Sequence, residues 1–178
     1  EWGSSDIRAE AVKHENHQPT CSFKVRNGLS FVTSLSAVER ARGVVAASTG
    51  NHGQGVAYAA SLLGVRATIC VPMGNNPEKG AAMRSWGATV VEEGRDYDEA
   101  VGAMLRIARE QGRAISHSTN DPTVVAGAAT LSLEMLEGVR LRSLAATLRA
   151  DLSDVIAVAQ RLTEGRPQAG IAAIEALK

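Results

Sequence analysis

Two stretches of the chain concentrate residue types that can do chemistry. The first runs Lys13-His14-Glu15-Asn16-His17-Gln18-Pro19-Thr20-Cys21-Ser22-Phe23-Lys24-Val25-Arg26. It places Lys24 at the start of a helix, just after a Pro-Thr turn. The positive end of a helix disfavours a cation, and a neutral amine is the form that attacks a carbonyl. A solvated surface lysine is the commoner fate of this residue type, and the residues alone do not lift Lys24 above it. The second stretch is Ala47-Ser48-Thr49-Gly50-Asn51-His52-Gly53-Gln54-Gly55. It follows an apolar run and opens a helix. Free backbone N–H groups at a helix start attract an anion, and Ser48, Thr49, Asn51 and His52 add polar groups at the same point. A small carboxylate or phosphate suits such a place. An ordinary turn with Asn51 as N-cap explains the spacing equally well, because short glycine-rich motifs recur by chance.

The elements around these stretches are readable. Residues 44–47 form a short buried strand, 56–63 a helix stopped by Gly64, and 66–71 the next strand. Asn76-Pro77 caps a helix that runs to about Trp86 and stops at Gly87. Residues 89–91 are a third strand. Asp96 and Glu99 form a capping box for a helix ending at Gly112, with Ala100, Val101, Met104, Ile107 and Ala108 on one face. Strands alternating with helices imply an open parallel sheet in a three-layer α/β/α packing, and ligands bind such sheets at the carboxyl ends of the strands. Ahead of this unit, residues 8–14 read as a strand and 23–36 as a helix with Val25, Leu29 and Val32 on one side. Behind it, Asp121-Pro122 opens a helix to about Glu137. Residues 138–178 read as one or two further helices, with Pro167 opening the last. The chain divides accordingly into an N-terminal strand and lysine helix (1–37), a small α/β domain (38–120) and a helical remainder (121–178).

Composition narrows the function classes. The 178 residues carry 19 Lys+Arg against 19 Asp+Glu, and aromatics make up 3%. No basic patch with interleaved aromatics exists, so nucleic acid is not an expected partner. No run of 18 apolar residues exists, so no membrane span is expected. The two cysteines make no disulfide framework and fit a reducing compartment, and no signal peptide is visible, so the expected location is cytoplasmic. The sequence opens on Glu1, and the natural start is expected to lie upstream. His14 and His17 lack partners at the spacing a zinc site needs, so no metal is expected.

Together the two stretches resemble the fold-type II pyridoxal phosphate enzymes, in the threonine/serine dehydratase and serine racemase branch. That family carries Pro-Thr-Gly-Ser-Phe-Lys-x-Arg-Gly and, about two dozen residues later, Ser-x-Gly-Asn-His-x-Gln. The matching residues are Pro19-Thr20, Ser22-Phe23-Lys24, Arg26 and Ser48 through Gln54. Val71-Pro72, Glu78-Lys79, Gly87-Ala88, Gly127-Ala128-Ala129-Thr130 and Glu134 are comparable. The resemblance implies a tryptophan synthase β-like fold and pyridoxal 5′-phosphate as cofactor. It also implies that Lys24 bonds the cofactor covalently and later carries the α-proton, with Phe23 packed beside the ring and Asn51 on its phenolic oxygen. Ser48, Thr49, Asn51 and His52 would hold the substrate carboxylate. The implied activity is an ammonia-lyase reaction on a small hydroxy-amino acid, in a homodimer. Thr49 stands where racemases can have a serine as opposite-face base, which makes racemisation the weaker option.

The sequence also departs from that family. No glycine-rich phosphate loop follows Glu137, and the Ser-Gly-Gly-Asn-like stretch near the family's end is absent. Thr163-Glu164-Gly165 and residues 169–174 resemble a late family segment. The chain therefore reads as a truncated fold, its first part joined to a late piece with the middle deleted near Glu137–Arg142. The alternative function is a catalytically inactive remnant acting as a scaffold or subunit.

Overall fold

The computed structural model describes residues 13–148. A single sheet carries strands β1 (Val44–Ala47), β2 (Ala67–Val71), β3 (Thr89–Glu92) and β4 (Ala114–Ile115). Its order is β3-β2-β1-β4, and every neighbouring pair is parallel. Val44 lies opposite Ala67 on one side and Ala114 on the other. The carboxyl ends of β1, β2 and β4 therefore share one edge of the sheet. The helices are α1 (Lys24–Ser34), α2 (Ala37–Arg42), α3 (Asn51–Leu62), α4 (Pro77–Ser85), α5 (Tyr97–Gln111) and α6 (Pro122–Leu148).

Side chains alternate across a strand, and both faces of the central strands are buried. Val44, Ala46, Ile69 and Val71 face a core built with Phe31 and Val32 of α1, Val56 and Ala60 of α3, Met83 of α4 and Val124 of α6. Val45, Ala47 and Cys70 face Ala103, Met104, Ile107 and Ala108 of α5. The result is the three-layer α/β/α packing that the alternation of elements implies. Each fully buried Val or Ile contributes about 1.5–3 kcal/mol, so the continuous apolar runs of β1 and β2 make these strands the centre of the fold.

Most elements form where local chemistry puts them. Asn76 Oδ1 accepts from the backbone N–H groups of Glu78 and Lys79, with Pro77 in the first helical position. Gly64, Gly87 and Gly112 each take positive φ just beyond a helix. Other expectations need correction. Helix α3 starts at Asn51, not near Val56, so the glycine-rich stretch is helical and Gly50 is its N-cap. Helix α1 ends at Ser34, and α2 follows it behind a capping box between Ser36 and Glu39; that Ser-x-x-Glu signal was present in the sequence. At α5, Asp96 accepts from the Glu99 N–H, but the Glu99 carboxylate turns to the Arg95 backbone N–H and guanidinium. The box is therefore half made, because a guanidinium outcompetes a single amide for a carboxylate. Strand β4 is too short to leave a pattern. Helix α6 continues through Gly138 to Leu148 without interruption.

Of the segment expected as a strand over residues 8–14, only Lys13 and His14 lie within the described residues, and neither is in a strand. The helix expected to open at Pro167 lies outside them. One compact unit ends at Thr130 and a second begins at Leu131. No described helix is long and apolar enough to cross a membrane.

Candidate active site

The lysine is positioned from both sides of its own helix start. Ser22 Oγ accepts the Lys24 backbone N–H at 3.2 Å. Ahead of it, Cys21 is the one described non-glycine residue with positive φ, at 51°. Behind it, Arg26 grips Glu15 through two parallel hydrogen bonds, Nε to Oε2 at 2.8 Å and Nη2 to Oε1 at 2.9 Å. This forked pair is the strong form of a carboxylate contact, and the Arg26 hydrogen bond holds the Glu15 carboxyl below its ordinary range. Arg26 Nη1 also donates to Thr130 Oγ1 at 3.0 Å. Residues 15–26 are thus fastened to α1 and to the start of α6.

Glycine sets where α1 meets α3. A Cβ on Gly55 would lie 2.3 Å from the Lys24 carbonyl oxygen, and one on Gly28 would lie 2.2 Å from the Gly55 carbonyl oxygen. The two backbones touch, which only residues without a side chain permit. This crossing brings Lys24 beside the first turns of α3.

The segment after β4 receives both the lysine and the histidine. Lys24 Nζ donates to the Ser118 carbonyl at 3.4 Å and lies 5.3 Å from the Phe23 ring centroid. No carboxylate pairs with Lys24 among the described residues. His52 is 5% exposed, and its Nε2 is 3.1 Å from the Ser116 carbonyl oxygen. A carbonyl requires a donor, so Nε2 carries the hydrogen and Nδ1 is a bare acceptor. That Nδ1 is buried without a partner. Burial pushes the imidazole's pKa down, the Ser116 carbonyl opposes this, and the Lys24 charge reinforces it.

The first turn of α3 divides its donors. Ser48 Oγ accepts from Gly50 N at 3.2 Å and Gly53 N at 2.9 Å. The N–H groups of Asn51 and His52 have no acceptor among the described residues. They and the helix dipole form a place for an anionic oxygen. Thr49 is exposed, and a Cβ on Gly50 would meet nothing within 4 Å, so the turn stands open to a ligand. Asn51 Oδ1 accepts from Lys79 Nζ at 3.1 Å.

The structure therefore gathers Lys24, Phe23 and His52 around the segment 116–118, with Ser48 and Asn51 at the adjoining helix start. Three contributors escape a reading of the sequence: Lys79, the carbonyls of Ser116 and Ser118, and the Glu15–Arg26 pair. Glu15 and Arg26 stand in the motif itself, but no local spacing signals that they meet. Lys79 has as signals its place in the capped first turn of α4 and the family-like pair Glu78-Lys79, and neither points to Asn51.

The donor set fits a pyridoxal phosphate group at its reactive end. An amine with no carboxylate partner among the described residues lies beside an aromatic ring, and a cluster of helix-start donors belongs to the helix that its own backbone crosses. Comparison with known proteins points the same way. The family model described as pyridoxal-phosphate dependent enzyme matches residues 6–177. An L-threonine ammonia-lyase from Thermotoga maritima is 48% identical over 126 residues, covering 71% of this chain and 31% of that protein. Another from Geobacter sulfurreducens is 46% identical over 125 residues, covering 70% of this chain and 31% of that protein. The structure of the processed form of threonine deaminase isoform 2 from Solanum lycopersicum superposes with a TM-score of 0.68 at 35% identity, over 71% of this chain and 37% of that one. The chain thus matches about a third of the length of these relatives.

Proposed function

Because the chain belongs to the pyridoxal-phosphate dependent enzymes, we propose that it is an ammonia-lyase acting on a small hydroxy-amino acid such as threonine or serine. The observation that carries the reading is the Lys24 amine. It is held at a helix start by Ser22, offered to a backbone carbonyl rather than a carboxylate, and placed by a glycine crossing beside the anion-seeking end of α3.

The group, when bound, supplies an electron sink for the substrate's α-carbon. The protein's part is to hold, orient and move protons. Lys24 Nζ would hold the cofactor and accept the α-proton, Phe23 would flank its ring, and the Asn51 amide N–H2 would donate to its phenolic oxygen. The substrate carboxylate is met at the turn from Ser48 and Thr49 to Asn51 and His52. His52 contributes its backbone N–H there, since its ring is neutral and buried with Nε2 committed to Ser116. Ser48 contributes mainly by closing the turn that aims those amides. The substrate would give its α-proton to Lys24 Nζ and lose its β-hydroxyl as water, and one water would then hydrolyse the released enamine, through its imine, to a 2-oxo acid and ammonia.

The same reading includes a cytoplasmic homodimer. Gel filtration reads the assembly. The test is to incubate the purified chain with pyridoxal phosphate, reduce with borohydride and map the labelled peptide. Of its four lysines, Lys24 alone is expected to carry the label, and 2-oxo acid is expected from threonine or serine. Label on Lys13 or Lys79 with none on Lys24 would refute the assignment. Label on Lys24 with no 2-oxo acid would leave the inactive-subunit alternative standing.

A further inference from the structure

The Lys79–Asn51 contact has no part in the reaction just described, and it joins two different helices. Lys79 is the third residue of α4. Its backbone N–H is fixed by Asn76 Oδ1 at 3.3 Å, while its Nζ reaches the first residue of α3. An ammonium at these helix starts works against both helix dipoles, and no carboxylate pairs with it among the described residues. What Lys79 does meet is one end of one amide. An ammonium has three donors and no acceptor, so the Asn51 atom it faces at 3.1 Å must be Oδ1. The two ends of a planar amide point apart. Holding the oxygen therefore turns the N–H2 away from Lys79.

We infer that Lys79 is a positioning residue, which clamps the Asn51 side chain by its carbonyl so that only its N–H2 end is presented to an anionic ligand oxygen. This rests on the proposed role of Asn51 at the cofactor's phenolic oxygen. An unclamped asparagine at this exposed position presents donor or acceptor with little preference, and the acceptor end repels an anionic oxygen. The clamp thus converts an ambivalent side chain into a fixed donor before any ligand arrives. Asn51 needs this help because it is the first residue of α3 and no neighbour on its own helix holds its side chain.

The experiment uses the full chain and the variants Lys79→Met, Lys79→Arg and Lys79→Glu. Without cofactor, the Asn51 side-chain amide is followed by 15N NMR and identified by its loss in Asn51→Asp. Lys79→Met is expected to shift that resonance while other amide side chains stay in place, and Lys79→Arg is expected to leave it near its original position. An unmoved Asn51 resonance in Lys79→Met would overturn the inference.

With pyridoxal phosphate as probe, borohydride-trapped label on the Lys24 peptide gives an apparent affinity. Lys79→Met is expected to weaken it about tenfold, the loss of one hydrogen bond to a charged group. Lys79→Arg, also a pure donor, is expected to stay within about threefold. Lys79→Glu, an acceptor that inverts the amide, is expected to fall below Lys79→Met. The deficits should persist from roughly 0.05 M to 0.5 M salt, which screens a bare charge effect. A Lys79→Met deficit that vanishes at high salt would reduce Lys79 to a source of positive potential and overturn the inference. If the unaltered chain traps no label on Lys24, the proposed function fails, while the cofactor-free spectra still decide whether Lys79 holds the amide.

Discussion

One face of the sheet is covered by α5, and the other by α1, α3 and α4 with the start of α6. Helix α5 carries its own instructions. Asp96 caps it, Gly112 ends it in the left-handed conformation at φ 61°, and Ala100, Ala103, Met104, Ile107 and Ala108 are its buried stripe. Helix α3 carries no such stripe. It is buried on nearly every side through His52, Gly53, Gln54, Gly55, Val56, Ala57, Ala59 and Ala60. Its small residues make sense only against what it touches, the backbone of α1 at Gly55 and the side chains of Met83 and Ile69 at Gly53. The chemistry-bearing residues all belong to this second kind of surface. A helix that packs by close backbone approach fixes a lysine amine more closely than one held by flexible apolar side chains, and it tolerates less change.

The sharpest test of that contrast is Gly55→Ala. Its Cβ would lie 2.3 Å from the Lys24 carbonyl oxygen, a backbone atom with no rotamer to yield. A loss of at least about 3 kcal/mol is expected in urea unfolding, at the upper end for overpacking. Borohydride labelling of Lys24 is expected to disappear with it. A folded, fully labelled Gly55→Ala chain would show that the crossing does not set the site.

The second test is pH. His52 is held below its ordinary pKa in the folded chain, mainly by burial. Its contribution is fully present above the unfolded value of about 6.5. It declines as pH falls, because the unfolded chain takes a proton that the folded chain refuses, and it is lost through the folded value. The slope reaches at most about 1.4 kcal/mol per pH unit. Urea unfolding between pH 7.5 and 5 should show it in the unaltered chain and lack it in His52→Gln. Equal slopes in both would place the imidazole in water and undo the view of α3 as buried on nearly every side.

The third test concerns the turn ahead of Lys24. Cys21 has φ 51°, where a Cβ costs roughly 1–2 kcal/mol and glycine costs nothing sterically. Glycine's freedom in the unfolded chain takes some of this back, so Cys21→Gly should raise stability by about 1 kcal/mol. A lower melting temperature would mean that the thiol makes contacts worth more than the strain.

The smallest effect belongs to the α5 face. A Cβ at Gly102 meets nothing within 4 Å, so Gly102→Ala should stabilise by about 0.5–1 kcal/mol through helix propensity alone. The same change, glycine to alanine in a helix, is thus expected to have opposite signs on the two faces. Equal signs would break the comparison.

Much of this protein is written locally. The apolar runs of β1 and β2 are readable because both faces of those strands are buried. The termini of α4 and α5 are readable because caps use neighbours in the chain: Asn76 reaches Glu78 and Lys79, and Asp96 reaches Glu99. Lys24 at a helix start is legible from the Pro-Thr turn just ahead of it, and Ser22 Oγ accepts its backbone N–H. The extent of α3 is not legible because its first turn is glycine-rich, and intrinsic propensity opposes a helix there. Packing against α1 overrides that preference.

What only the tertiary structure decides are pairings between residues far apart in the chain: Arg26 on Glu15 and Thr130, Lys24 on Ser118, His52 on Ser116, and Lys79 on Asn51. A hydrogen bond is set by a few ångströms in space. Sequence spacing constrains that distance only within a turn or two, so it reveals which groups can do chemistry. The sheet and its crossing helices decide which groups meet.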